Sequence, residues 1–164
     1  MTGITRLRLA ISSRRTAVEG LQTTVDAFLR RHGLGDEARR RVEVAVGEAV
    51  GNAIVHGHRE DPRKQVRLAV ELDGRQLLVR VHDDGAGFDG PRSADPRAPE
   101  RRFAPGGRGF LLMRQAMDEV HHRPRPGGGT TVTMRAFLSA GDIVATSTSG
   151  RGGSRAVACP WPAR

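Results

Sequence analysis

The order in which hydrophobic periodicity changes along this chain constrains its fold more than any single motif. Residues 5–11 alternate, with Leu7, Leu9 and Ile11 on one side and Arg6, Arg8 and Ala10 on the other, the pattern of a half-buried strand. From 16 to 32 the period lengthens. Val18, Leu21, Val25, Phe28 and Leu29 recur at three- and four-residue steps, which predicts an amphipathic helix ended by Gly33. Asp36 is placed to cap a second helix running to about residue 56, with Val42, Val46, Ala49, Val50 and Ala53 as its apolar stripe. Alternation returns at 65–72 and 76–82, and Asp73-Gly74 between them signals a hairpin. A helix over about 109–118, a strand near 119–123, a turn at 124–128 and a strand at 130–137 complete the series.

That order groups the helices apart from most strands. It predicts an α+β fold, a two-layer α/β sandwich with helices on one face of a mixed, mostly antiparallel sheet. A doubly wound dinucleotide fold would alternate strand and helix throughout and carry an early glycine fingerprint, which is missing here. With 164 residues the chain has room for one domain with a proper core. The domain is expected over residues 1–138. Residues 139–164, rich in Gly, Ser and Thr, are expected to be a disordered tail. Between the hairpin and the third helix, residues 89–105 are crowded with Gly, Pro, Arg and Asp and read as a long functional loop.

The formal net charge is +9, and Lys64 is the lone lysine among the basic residues. Such a charge rewards polyanion binding through counterion release. The arginines are scattered over every segment, however, and aromatic residues are only 4% of the chain, so no stacking platform or recognition motif accompanies them. An acidic protein or a polyphosphate is the better match, without direct nucleic-acid binding. No apolar run approaches the roughly 20 residues of a membrane span, and MTGITRLRLAISS has no signal-peptide core. A single cysteine, Cys159, fits a reducing compartment, so the expected location is the cytoplasm without membrane attachment.

Four segments carry chemistry. In EAVGNAIVHG (48–57), Glu48, Asn52 and His56 are spaced to form one polar stripe on the second helix. A carboxamide oxygen there can ligate Mg²⁺, and a neighbouring carboxylate can orient or deprotonate a nucleophile. In HDDGAGFD (82–89), Gly85 and Gly87 let the backbone approach a flat ligand, and Asp83 at a strand end can accept from an exocyclic amine. GGRGFLLM (106–113) runs glycines into a helix whose free N–H groups suit phosphates, with Arg108 adding charge. It is no Walker loop, lacking Gly-Lys-Ser/Thr. GGGTTVTM (127–134) enters the last strand, where Thr130 or Thr131 can offer a hydroxyl. Each segment alone has an ordinary explanation as helix face, turn or strand.

In this order the four resemble the GHKL ATPase superfamily, over roughly residues 5–137. The chain is too short for the transducer domain of gyrase-like members and begins with a strand rather than the phosphoacceptor helix of histidine kinases. EAVGNAIVHG looks most like the bacterial anti-sigma-factor serine kinases. The resemblance implies the Bergerat-type ATP-binding fold, with ATP and Mg²⁺ as cofactors. It implies Glu48 as general base, Asn52 as Mg²⁺ ligand, and Asp83 as reader of adenine in a pocket shaped by Gly85 and Gly87. Residues 89–105 would be the lid, with Arg101, Arg102 or Arg108 facing the γ-phosphate. Gly107, Arg108 and Gly109 would hold the phosphates, and Thr130 the base. It also implies a homodimer that binds a sigma factor and phosphorylates a serine on an anti-anti-sigma protein. Two other readings stand beside it: a non-catalytic ATP-dependent protein-binding switch, and a basic nucleic-acid binder.

Overall fold

The computed structural model describes residues 3–85 and 107–144. Strand β1 (Thr5–Ser12) leads through a 3-10 turn (Arg15–Ala17) into helices α1 (Val18–Arg31) and α2 (Asp36–Asn52), and α2 ends in a π-helical turn (Ala53–Gly57). Strands β2 (Gln65–Asp73) and β3 (Gln76–His82) follow, then helix α3 (Gly107–Ala116), strands β4 (Glu119–Pro124) and β5 (Thr130–Phe137), and a 3-10 turn (Ala140–Asp142).

The sheet order is β1-β2-β3-β5-β4, and every described pairing is antiparallel. The fold is therefore α+β, as the periodicities predict, but without the parallel pairing that a mixed sheet implies. The reason is topological. The crossover through α3 brings β4 back in the same direction as β3, but β5 inserts between them and pairs with both.

Alternation decides which face is buried. Leu7, Leu9 and Ile11 lie opposite Val70, Leu68 and Val66, and the next rungs add Leu77, Val79 and Val81, then Ala136, Met134 and Val132. These side chains meet Leu21, Val25 and Leu29 of α1 and Val42, Val46, Ala49 and Val50 of α2 in one core. Burying each Leu or Val contributes about 1.5–3 kcal/mol. The opposite sheet face carries charge: Glu71 accepts from Arg80 at 3.0 Å and lies 3.8 Å from Arg6, and Glu119 accepts from Arg135 at 2.8 Å.

Turn chemistry follows the sequence with one exception. Gly33 closes α1 in the left-handed region (φ 83°), and Leu34 N–H reaches back to the Leu29 carbonyl. Asp36, read as a cap, instead lies inside the first turn of α2; Gly35 is the N-cap and offers no side chain. The Asp36 carboxylate serves the positive end of the helix and pairs with Arg39 at 2.6 Å.

The described chain runs six residues past 138. Asp142 accepts from the Ser139 N–H and hydroxyl and from Arg41, and Gly35 N–H donates to the Asp142 carbonyl. This fastens 139–144 to the α1–α2 turn. Among the described residues no helix is long and apolar enough to cross a membrane.

Candidate functional site

The cleft is assembled at one end of the sheet from α2, the turn after β3, the start of α3 and the start of β5. Ala49 and Ala53 are buried against the sheet, which leaves Glu48 and Asn52 half-buried on the flank of α2. Helix α3 comes down on that flank. A β-carbon on Gly109 would stand 2.7 Å from Glu48 Oε2 and 3.2 Å from Asn52 Nδ2, so only glycine fits without displacing those side chains. Positions 48, 52 and 109 are thus brought together.

Asp83 is the first residue after β3 and is 5% exposed. Its N–H donates to the Thr130 carbonyl at 3.0 Å, and its Oδ1 accepts from Gly85 N–H at 2.9 Å. Two glycine contacts fix its surroundings. A β-carbon on Gly57 would lie 2.8 Å from the Asp83 carboxyl carbon, and one on Gly85 only 1.9 Å from the Gly57 carbonyl oxygen. The backbones of the π turn and of the 83–85 turn are packed as closely as two chains can be.

Asn52, Asp83 and Thr130 supply polar groups to a cleft whose walls are Ala49, Ala53, Val81, Val132 and Phe110. The space left is about 20 Å³, room for about one water. Phe110, 7% exposed, is edge-to-face with His122 at 5.3 Å. A larger open groove of about 490 Å³ lies between α1 and α2 and shares no residue with this cleft. Within it Arg39 pairs with both Asp26 and Asp36.

The site residues read from sequence fall into three sets. Glu48, Asn52, Asp83, Gly85, Gly109 and Thr130 converge as described. Gly107 and Arg108 open α3, with Arg108 exposed. Gly87, residues 89–105, Arg101 and Arg102 lie outside the described residues. His56 lies in the π turn and is exposed, whereas Glu48 and Asn52 are half-buried. Thr131 turns away from the cleft, its hydroxyl 2.7 Å from His82 Nδ1 on the other sheet face. Sequence reasoning missed His58, which is 2% exposed and accepts from Asp84 N–H through Nε2 at 2.9 Å. A lone histidine after a helix carries no periodic signal. It also missed Gly129 (φ 84°), whose β-carbon would stand 2.0 Å from the Asp83 carbonyl oxygen; three glycines in a row were the available sign.

A carboxylate under apolar walls suits a flat base with an exocyclic amine. The metal question is one of donor set. Among the described residues no three His, Cys, Asp or Glu side chains converge as a cage. The Asn52 carboxamide oxygen and the Glu48 carboxylate beside α3 are oxygen donors of the kind Mg²⁺ takes, its shell being completed by phosphates and water.

Comparison with known proteins points the same way. The family described as "Histidine kinase-like ATPase domain" matches residues 11–136. An anti-sigma F factor of Shouchella clausii is 31% identical over 82% of this chain and 93% of its own length. One from Anoxybacillus flavithermus is 32% identical over 72% of this chain and 82% of its own. A crystal structure of the RsbU and RsbW domains of a Mycobacterium tuberculosis protein superposes with a TM-score of 0.63 at 19% identity. That match covers 87% of this chain but 35% of the other, and at this identity it speaks to the fold.

Proposed function

Because this chain belongs to the histidine kinase-like ATPase domain family, we propose that its cleft binds one ATP with Mg²⁺ and that the protein is an anti-sigma factor serine kinase. In this reading it sequesters a sigma factor and phosphorylates a serine on an anti-anti-sigma protein. The observation that carries the reading is the seating of Gly109 against Glu48 and Asn52, which puts the N-terminus of a ten-residue helix beside a carboxylate and a carboxamide.

Asp83 would take the adenine amine at the bottom of the cleft, with Thr130 beside it and Gly85 and Gly87 shaping the turn. Phe110 of α3 lines the same cleft as Asp83 and Thr130, so base binding and the position of α3 would be coupled. Asn52 would hold Mg²⁺, and the first N–H groups of α3 at Gly107, Arg108 and Gly109 would hold phosphate oxygens. When bound, Mg-ATP supplies the transferable phosphoryl group and the metal's neutralising charge. Glu48 would orient the incoming serine hydroxyl and accept its proton at Oε2, the oxygen facing α3. Positioning of this kind accounts for most of the rate in phosphoryl transfer.

The similar proteins from Shouchella and Anoxybacillus are named for sigma binding, not for transfer, so the catalytic half rests on Glu48 with Asn52. Cytoplasmic residence and a homodimer belong to the same reading. The purified protein should be incubated with labelled ATP, Mg²⁺ and each candidate antagonist encoded beside a sigma factor. Phosphoserine on one antagonist supports the reading. ATP-dependent partner binding that survives Glu48→Ala with no phosphoprotein would leave a non-catalytic switch in its place.

A further inference from the structure

We propose that His58 is a positioning residue for the cleft: its neutral imidazole, accepting the Asp84 N–H at Nε2, holds the turn that presents Asp83 to the nucleotide base. This rests on reading the cleft as a nucleotide site. The contact joins the end of the π turn to the turn after β3 at 2.9 Å, between residues 26 apart in sequence.

Three further observations support it. The first is an incompletely satisfied ring. His58 is 2% exposed, and its Nδ1 has no hydrogen-bond partner. Because Nε2 accepts, the proton of the neutral ring must sit on Nδ1, and burying that donor unpaired is tolerated only where something else is gained. The second is backbone strain directly after it. Arg59 (φ 53°) and Glu60 (φ 59°) are consecutive non-glycine residues in the left-handed region. They are held there by Glu60 N–H to the Ile54 carbonyl at 2.8 Å and Asp61 N–H to the His58 carbonyl at 3.1 Å. This reversal is what leaves the ring inside the fold, and strain of this kind gathers where geometry is functional.

The third is that Asp84 is gripped from both sides. Its carboxylate accepts from Arg67 and from Arg125, each at 2.6 Å, at the outer end of the sheet, while His58 holds its N–H from the helix layer. Asp83, one residue earlier, therefore has little freedom to turn away from the cleft.

The bond exists only while Nε2 is unprotonated. An imidazolium would set one N–H against another. Burial, the largest influence, holds the His58 pKa below its ordinary value; Lys64 adds to this, and the carboxylates of Asp83, Asp84 and Asp61 oppose it only in part. Acid should therefore loosen the Asp83 turn as the ring takes up a proton, and nucleotide should in turn resist that protonation.

The test uses calorimetry with Mg-ADP from pH 8 down to 5.5 on the full chain and on two variants. In His58→Gln the amide oxygen accepts without titrating; in His58→Leu the acceptor is gone but the volume remains. At pH 8 the Gln variant should bind within about threefold of the parent and the Leu variant about tenfold more weakly, the size of one lost buried hydrogen bond. Acidification should weaken the parent more than the Gln variant, the titration of ADP itself being common to both. Leu and parent affinities that match at every pH would overturn the proposal, as would identical pH profiles for parent and Gln. Should neither variant fold, nitrogen NMR of the parent without nucleotide decides: a protonated Nε2 at neutral pH, or an Asp84 amide indifferent to His58 titration, overturns it. A parent that binds no Mg-ADP at pH 8 removes the nucleotide reading itself, a result distinct from any of these.

Discussion

Gly129 crosses directly over the main chain of Asp83, so near that a β-carbon there would stand 2.0 Å from the Asp83 carbonyl oxygen and 2.9 Å from the Asp84 α-carbon. The crossing joins the start of β5 to the end of β3 just where the acidic turn begins, and it places Thr130 beside the cleft.

Gly129→Ala and Gly85→Ala should accordingly be among the most destabilising single changes in the domain. In both the new methyl meets backbone, which cannot rotate away, and Gly129 also sits at a positive φ. Overpacking of this kind costs about 1–3 kcal/mol, or roughly 2–4 °C of melting temperature per kcal/mol in a chain of this size. Calorimetric melting of each variant checks this; an unchanged midpoint would mean that the two backbones are not in contact.

Gly109→Ala should behave differently. Its methyl would meet the ends of the Glu48 and Asn52 side chains, which can swing aside. Stability should change by about 1 kcal/mol or less, while Mg-ATP affinity and phosphotransfer fall together. Melting and nucleotide titration on one sample separate the two effects.

Glu48→Ala should leave nucleotide binding near that of the parent and lower the phosphotransfer rate by about 10²–10⁴-fold, the usual contribution of a positioned base. Single-turnover transfer to the cognate antagonist measures it. A variant that transfers at the parental rate would remove Glu48 from the chemistry.

His82 gives stability a pH dependence of defined sign. Burial, then the neighbouring Arg125, Arg67 and Arg80, push its pKa from 6.5 down to about 4. The unfolded chain therefore binds the proton more tightly than the native one. The stability associated with the neutral ring is fully present above pH 6.5 and is lost as pH falls toward 4. Urea midpoints over that range should decline, and less steeply in His82→Gln; parallel declines would assign the effect to other groups.

The sequence made the secondary structure legible because each element has its own period. Leu7, Leu9 and Ile11 alternate, Leu21, Val25 and Leu29 do not, and the structure buries or half-buries each set on the core side. What escaped were features without a period. The end of α2 winds as a π turn at 53–57, which no spacing rule anticipates. The insertion of β5 between β3 and β4 depends on long-range pairing, and the approach of Gly57 to Gly85 on the packing of the helix layer against the turn after β3. Within the site, residue types at Glu48, Asn52, Asp83 and Thr130 were readable as chemistry, whereas Phe110 and His58 enter through packing alone.

The place of β5 between β3 and β4 has a consequence for synthesis. Residues 5–85 emerge from the ribosome first and can pair as β1-β2-β3 with both long helices, but the strand that supplies Thr130 and carries Gly129 over Asp83 comes some 45 residues later. Until it slots into the sheet, β3 has an unpaired edge and the cleft lacks a wall, so a nascent or C-terminally clipped chain has most of the scaffold and none of the finished pocket.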